Sequence, residues 1–315
     1  MQMRTIGQTA LRVSPLCFGG NVFGWTLDEA ASFSMLDAWL DRGFNFIDTA
    51  DVYSRWAPGN QGGESETIIG KWLAATGKRH DIVLATKLGM DMGDGRKGLR
   101  AAYIERAVED SLRRLQTDVI DLYQSHKDDE DTPLDETLEA HARLIAAGKV
   151  RVIGASNYSA ARLAESLAVS ADFGWPRYEC LQPHYNLMER GFEQELAPLC
   201  VQETISVIPY YSLASGFLSG KYRSAADAGK SVRGPKIVET YLNDRGRRVL
   251  DALDAVAGAH GSTATAVALA WLMAKPAVTA PIVSATSIEQ LDSVAAAATL
   301  SLSAAQMKAL DDASA

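Results

Sequence analysis

Gly43-Phe44-Asn45-Phe46-Ile47-Asp48-Thr49-Ala50-Asp51-Val52-Tyr53 begins as a buried strand and ends on reactive groups. Phe44, Phe46 and Ile47 are apolar and β-prone, and Gly43 releases the helix before them. A buried strand is expected to turn back at a polar loop. This one stops on Asp48, and five residues later stands Tyr53, a phenol with no apolar neighbours to make it core. Two later runs finish the same way, Val83-Leu84-Ala85-Thr86-Lys87 and Ile120-Asp121-Leu122-Tyr123-Gln124-Ser125-His126. If these strands are neighbours, Asp48, Tyr53, Lys87 and His126 share one proton-transfer site.

Outward from these three runs the same alternation holds. Before them, Arg4 to Val13 reads as a small hairpin around Gly7-Gln8-Thr9, and Leu16 to Gly20 as a short strand. Asp28 caps a helix to Asp41 with Phe33, Leu36 and Leu40 on one face. Further helices are expected over about 64–75, 100–115 (with Ile104, Val108 and Leu112 at helical spacing) and 134–147. Strands at 150–155, 180–185, 205–210 and 280–283 follow, with helices near 160–169, 193–202, 243–259, 263–274, 287–296 and 304–311. Arg223 to Lys236, rich in Gly, Ser, Asp and Lys, reads as a flexible loop.

Eight strands, each followed by helix and without a linker, predict a single (β/α)8 barrel over residues 1–315. It carries an N-terminal β-hairpin and extra helices near the C-terminus. A doubly wound sheet would show G-x-G-x-x-G after its first strand, and no stretch has that spacing. In a barrel all eight strand ends meet at one mouth, so the four ionisable residues converge there.

Composition excludes other classes. The 315 residues are 47% hydrophobic and 22% charged, enough for a large core. A net charge of −8 gives no general attraction to nucleic acid or acidic membranes. Arg96, Lys97 and Arg100 read as a solvated loop and helix start. Cys17, Cys180 and Cys200 form no CxxC pair and read as reduced packing residues. Met1-Gln2-Met3-Arg4 leads into polar sequence, so no signal peptide is expected. Apolar stretches are broken well short of the roughly 20 residues that a spanning helix needs. The expectation is a soluble cytoplasmic protein with no membrane or nucleic-acid partner. The sequence carries no signal for an oligomeric state.

The chemistry follows from residue type. A phenol has a pKa near ~10, and a nearby ammonium, Lys87, lowers it. Asp48 can balance Lys87, and His126 can donate a hydrogen bond to an oxygen where negative charge develops. Tyr53 protonating that oxygen is a general acid for carbonyl reduction and, in reverse, a base for alcohol oxidation. No Ser or Cys nucleophile neighbours a base, and no spacing suggests a metal site. The hydride must come from elsewhere, which points to a nicotinamide cofactor.

The chain resembles the aldo-keto reductase family from end to end. The resemblance is carried by residues 43–50 (GFNFIDTA) with Tyr53, by 144–157 (LIAAGKVRVIGASN) and by 207–222 (VIPYYSLASGFLSGKY). It implies an NAD(P)H-dependent carbonyl reductase with an Asp48–Tyr53–Lys87–His126 tetrad and a small-molecule carbonyl substrate. Tyr53 is then the acid, Lys87 and Asp48 its tuning pair, and His126 the orienting donor.

The resemblance also implies that Ser156, Asn157 and Gln182 hold the nicotinamide carboxamide and that Tyr210 stacks on its ring. Leu213, Gly216, Leu218 and Lys221 fall in the loop that wraps the pyrophosphate. Ser284, Thr286 and Gln290 occupy the segment facing the adenosine 2′-phosphate, where relatives often place Lys or Arg. Val294 stands where Asn is common on the adenine side. NADP(H) is expected first and NAD(H) second.

Trp56, in the lengthened loop 54–63, and Trp25 are candidate substrate walls, and Lys127-Asp128 makes the rim after His126 more polar. Without a long closing loop after the last helix, the pocket is expected to be open and broad in specificity. Two other readings are a cofactor-binding regulatory subunit of a membrane channel and an NAD-linked alcohol or polyol dehydrogenase.

Overall fold

The computed structural model describes residues 1–315. Strands β1 (Arg4–Thr5) and β2 (Arg12–Val13) pair antiparallel as the expected hairpin. The main sheet contains β3 (Cys17–Gly19), β4 (Phe46–Asp48), β5 (Val83–Leu88), β6 (Ile120–Ser125), β7 (Val150–Ser156), β8 (Tyr178–Gln182), β9 (Ser206–Val207) and β10 (Ile282–Val283). All pair in parallel, in the order β10-β3-β4-β5-β6-β7-β8-β9. The remaining gap closes by single bonds: Ala277 O accepts from Val207 N (3.0 Å), Val207 O from Thr279 N (2.7 Å) and Pro209 O from Ile282 N (2.9 Å). The sheet is thus a closed (β/α)8 barrel.

The helices lie between strands, as parallel connections require. They are α1 (Glu29–Asp41), α2 (Glu64–Thr76), α3 (Ala101–Leu115), α4 (Leu134–Ala146), α5 (Ala160–Phe173), α6 (Leu196–Gln202), α7 (Gly234–Tyr241), α8 (Asp244–His260), α9 (Ala264–Met273), α10 (Ile288–Ala295) and α11 (Ala304–Ala313). The Asp28 carboxylate caps α1 by accepting from Ala31 N at 2.8 Å. The buried stripe of α1 runs through Met35, Leu36 and Trp39, with Phe33 and Leu40 only half-buried at its edges. Helix α9 is buried on every side from Ala264 to Leu272, which its almost uniformly apolar sequence requires.

Two expectations need correction. The helix near 193–202 starts only at Leu196, after a short 3₁₀ turn over Gly191–Glu193. Arg223 to Lys236 is no flexible loop: Ala225–Lys230 is a 3₁₀ segment, and α7 begins at Gly234. Ser224 and Asp227 form a reciprocal capping box, and Pro235 sits in the first turn of α7. Local capping chemistry outweighs the polar composition.

The core has two parts. The larger lies between sheet and helices. The smaller fills the barrel itself, with Cys17, Phe46, Val83, Ala85, Leu122, Val152, Cys180, Ile208, Ala280 and Ile282. Ile6 and Val13 of the hairpin join this inner cluster. Arg4 donates to the carbonyls of Val278 (2.9 Å) and Thr279 (3.1 Å), just before β10. The hairpin therefore plugs the N-terminal end and leaves only the opposite mouth for function.

One buried ion pair holds β5 in place. Glu66 of α2 is fully buried and accepts from Arg114 Nε (2.6 Å) and from Thr86 Oγ1 (2.6 Å), the neighbour of Lys87. Arg114→Met strands this carboxylate and is expected to cost about 3 kcal/mol. The denaturant midpoint measures it, and Arg114→Lys is expected to recover part of the loss.

Candidate active site

Parallel register brings the strand-end residues together. Asp48 pairs with Gly19 on one side and Ala85 on the other, while Lys87 of β5 pairs with Gln124 of β6. Asp48 and Lys87 are both completely buried. Lys87 Nζ donates to Asp48 Oδ2 at 2.5 Å and to the Thr49 carbonyl at 2.8 Å. The other carboxylate oxygen, Asp48 Oδ1, accepts from Gln124 Nε2 (2.9 Å) and Gln182 Nε2 (3.1 Å). Gln182 also donates to Gln124 Oε1 at 3.1 Å. A buried ion pair is tolerable only when its remaining lone pairs are satisfied, and here they are.

Gln124 was not singled out by the sequence reading. Its one signal is an amide in an otherwise mostly apolar, buried strand. Gln182 lies at the base of the site, but its amide nitrogen is engaged by Asp48 and Gln124.

Tyr53 stands on the loop after β4. Lys87 Nζ is 4.8 Å from its ring centroid, and the His126 ring is 6.1 Å away in an edge arrangement. All four strand-end residues therefore meet at one place. Burial pushes the Tyr53 phenol up to about 12; Lys87 pulls it down and Asp48 lifts it again. This corrects the expectation of a lowered phenol: desolvation exceeds the pull of Lys87, which Asp48 partly neutralises.

Burial presses Lys87 downward, but Asp48 and Tyr53 hold it above its ordinary value, so it stays an ammonium. Burial, helped by Lys87, drops His126 well below the usual histidine range, so its ring is neutral. Its Nδ1 is buried without a hydrogen-bond partner.

Around this centre lie the residues expected at the cofactor. Ser156 Oγ donates to the Gln182 carbonyl at 2.8 Å. Asn157, with φ of +56°, donates to the His126 carbonyl (2.9 Å) and accepts from Tyr210 OH (2.9 Å). The Tyr210 ring stacks on His184, 5.2 Å between centroids and 15° between planes. In the next loop Ala214, Ser215 and Gly216 all have positive φ (47°, 58° and 99°). Such conformations cost about 1–3 kcal/mol at each non-glycine residue and gather at ligand sites.

Gly216 N and Leu218 N both donate to the Leu213 carbonyl. Leu218 is fully buried, so only its backbone is available to a ligand. A Cβ on Gly216 would lie 3.7 Å from Lys221 Nζ, so a cation borders this loop. The Gly216 and Leu218 N–H groups are thus already engaged, and the Lys221 ammonium is the group this loop offers to a phosphate.

At the far end, Ser284 Oγ donates to the Gly19 carbonyl at 2.6 Å. Gln290 Oε1 accepts from both N and Oγ1 of Thr286 (3.0 and 3.1 Å). The Ser284 hydroxyl is half-buried and bonded to backbone, whereas Thr286 and Gln290 are paired on the exposed surface. Val294 is buried in the core among the helices.

Trp56 packs edge-on to Tyr53 (5.9 Å), and Trp25 edge-on to Trp56 (5.6 Å). Both proposed walls are thus in line with the phenol. On the rim after His126, Lys127 is exposed and Asp128 accepts from Arg162 Nε at 2.8 Å.

The sequence profile described as the Aldo/keto reductase family matches residues 15–315. The chain belongs to the aldo/keto reductase family. An uncharacterized oxidoreductase of Bacillus subtilis, YrpG, is 36% identical, covering 99% of this chain and 95% of its own. Norsolorinic acid reductase of Aspergillus flavus is 33% identical over 96% of this chain and 78% of its own. Protein tas of Escherichia coli is 32% identical, with 92% and 91% covered. As an aldo/keto reductase this protein is an NAD(P)H-dependent oxidoreductase acting on small carbonyl compounds. No single helix is long and apolar enough to cross a membrane.

Proposed function

We propose that this aldo/keto reductase reduces aldehydes and ketones to alcohols with NADPH, using Tyr53 as general acid. The observation that carries the reading is the contact between Lys87 and both Asp48 and Tyr53 at the one open end of the barrel. A reduced nicotinamide, when bound, supplies the hydride. Tyr53, protonated throughout the neutral range, gives its proton to the carbonyl oxygen. Lys87 stabilises the phenolate left behind, and Asp48, locked by Gln124 and Gln182, keeps Lys87 charged and aimed. Neutral His126 donates a hydrogen bond to the same oxygen and so orients it.

Ser156, Asn157 and Gln182 would hold the carboxamide and Tyr210 the ring face, after Tyr210 exchanges its contact with His184. Leu213, Gly216, Leu218 and Lys221 would hold the pyrophosphate, and Ser284, Thr286 and Gln290 the adenosine end. That last group is neutral, so a 2′-phosphate would gain hydrogen bonds but no ion pair from these residues, which keeps NADH as the second choice.

Mixing with NADPH and then NADH, followed by 4-nitrobenzaldehyde, tests the reading. Aldehyde-dependent loss of nicotinamide absorbance with tighter NADPH binding is expected. Tighter NADH binding would reverse the cofactor assignment, and binding of neither would remove the reading altogether.

A further inference from the structure

Arg233 is a cation at the mouth that the proposed reaction does not use. Arg233 lies in the segment between β9 and α7, and its guanidinium stacks over the Trp25 ring at 4.6 Å. Trp25 touches Trp56, and Trp56 touches Tyr53. Arg233 therefore sits at the far end of an aromatic wall that begins at the proposed acid. Among the half-buried arginines it is the only one whose side chain makes no hydrogen bond or ion pair. Leaving a partly desolvated guanidinium unpaired is unfavourable, and a flat cation on an indole face is well placed for a carboxylate.

Its position is built rather than incidental. Gly234 packs so closely that a Cβ there would come within 1.9 Å of the Ala228 carbonyl oxygen. Tyr222 OH and Ser231 Oγ are 2.8 Å apart, and Lys230 Nζ donates to the Lys221 carbonyl at 2.7 Å. These ties fix the backbone that presents Arg233. Large apolar side chains also stand exposed on loops that follow the C-terminal strand ends: Trp56 after β4, Met90 after β5, and Tyr211 and Val232 after β9. Exposed apolar surface gathered at a site mouth marks a ligand with an apolar body.

We propose that Arg233 is the anion-receiving end of the substrate site. The preferred substrates are then extended aromatic carbonyl compounds with a carboxylate or similar anion remote from the reacting carbonyl. This rests on the assignment of Tyr53 as proton donor, which fixes where the carbonyl lies. The aromatic body would lie along Trp56 and Trp25, and the anion would take two parallel N–H donors from Arg233.

The test compares 4′-formylbiphenyl-4-carboxylate with its methyl ester, in the native protein, Arg233→Met and Arg233→Lys. The native protein is expected to favour the carboxylate in kcat/KM. Arg233→Met is expected to lower that carboxylate-to-ester ratio about tenfold, through KM, and Arg233→Lys to lower it less. An unchanged ratio overturns the proposal. So does a loss that tracks weaker binding of NADPH or NADH, because Arg233 would then serve a cofactor phosphate.

Binding is read separately, without cofactor, from quenching of tryptophan fluorescence by biphenyl-4-carboxylate. About tenfold weaker quenching affinity in Arg233→Met supports the site even if neither aldehyde turns over, a result that would count only against the reductase reading. Equal affinity in both proteins overturns it.

Discussion

Replacing Tyr53 by phenylalanine is expected to slow aldehyde reduction by about 10²–10⁴-fold, the usual contribution of a positioned general acid. The loss falls in kcat, because the hydroxyl donates only as the oxygen gains charge. The ring contacts with Trp56 and His126 stay in place, so folding and cofactor binding should be nearly unchanged. Stopped-flow turnover beside a fluorescence titration of NADPH separates the two effects. Full turnover in the variant would take Tyr53 out of the mechanism.

The native pH profile carries the same information with a sign. Because the phenol lies near 12, the acid form dominates from pH 6 to 9, and reduction should be flat there. Oxidation of an alcohol needs the phenolate, so its rate should rise with pH over the same range.

Lys87→Met is expected to do more damage, on two separate measurements. It leaves Asp48 buried without its cation, at a cost of about 3–5 kcal/mol in stability. Gln124 and Gln182 still donate to Oδ1, so a folded protein with a lower denaturation midpoint is the expected outcome. In turnover, the variant loses the one charge that pulls the Tyr53 proton away. Both directions slow, and oxidation slows further, because the phenolate becomes rarer still. A variant with normal rates and the native pH profile would refute the tuning role. Normal stability would show instead that Asp48 takes up a proton on losing its partner.

The parts of the site that were legible in the sequence share a physical signature. Asp48, Lys87 and His126 each end an apolar run, and a barrel turns that linear habit into a cluster. Other features depend on competing terms that no run of letters contains. Whether Tyr53 moves up or down is decided by burial against the pull of Lys87, and burial wins. Gln124 sits within a buried strand, where its partner becomes visible only once β4 lies next to β5 and β5 next to β6. The segment after Tyr222 is ordered by signals that its polar composition masks: Ser224 with Asp227 three residues on, then Gly234-Pro235. There the spacing of capping residues decides the structure, and polar composition does not.

The seam of the barrel has a consequence for how the protein comes into being. The first main strand receives its outer neighbour from residues 282–283, and Ser284 Oγ binds the Gly19 carbonyl across 265 positions of chain. On the ribosome, therefore, residues 1–276 emerge before the outer edges of β3 and β9 begin to be covered. Until then the nascent chain offers two bare parallel edges, the kind of template on which chains stick to one another. Chaperone demand during synthesis should concentrate in that window and vanish when the last strand docks.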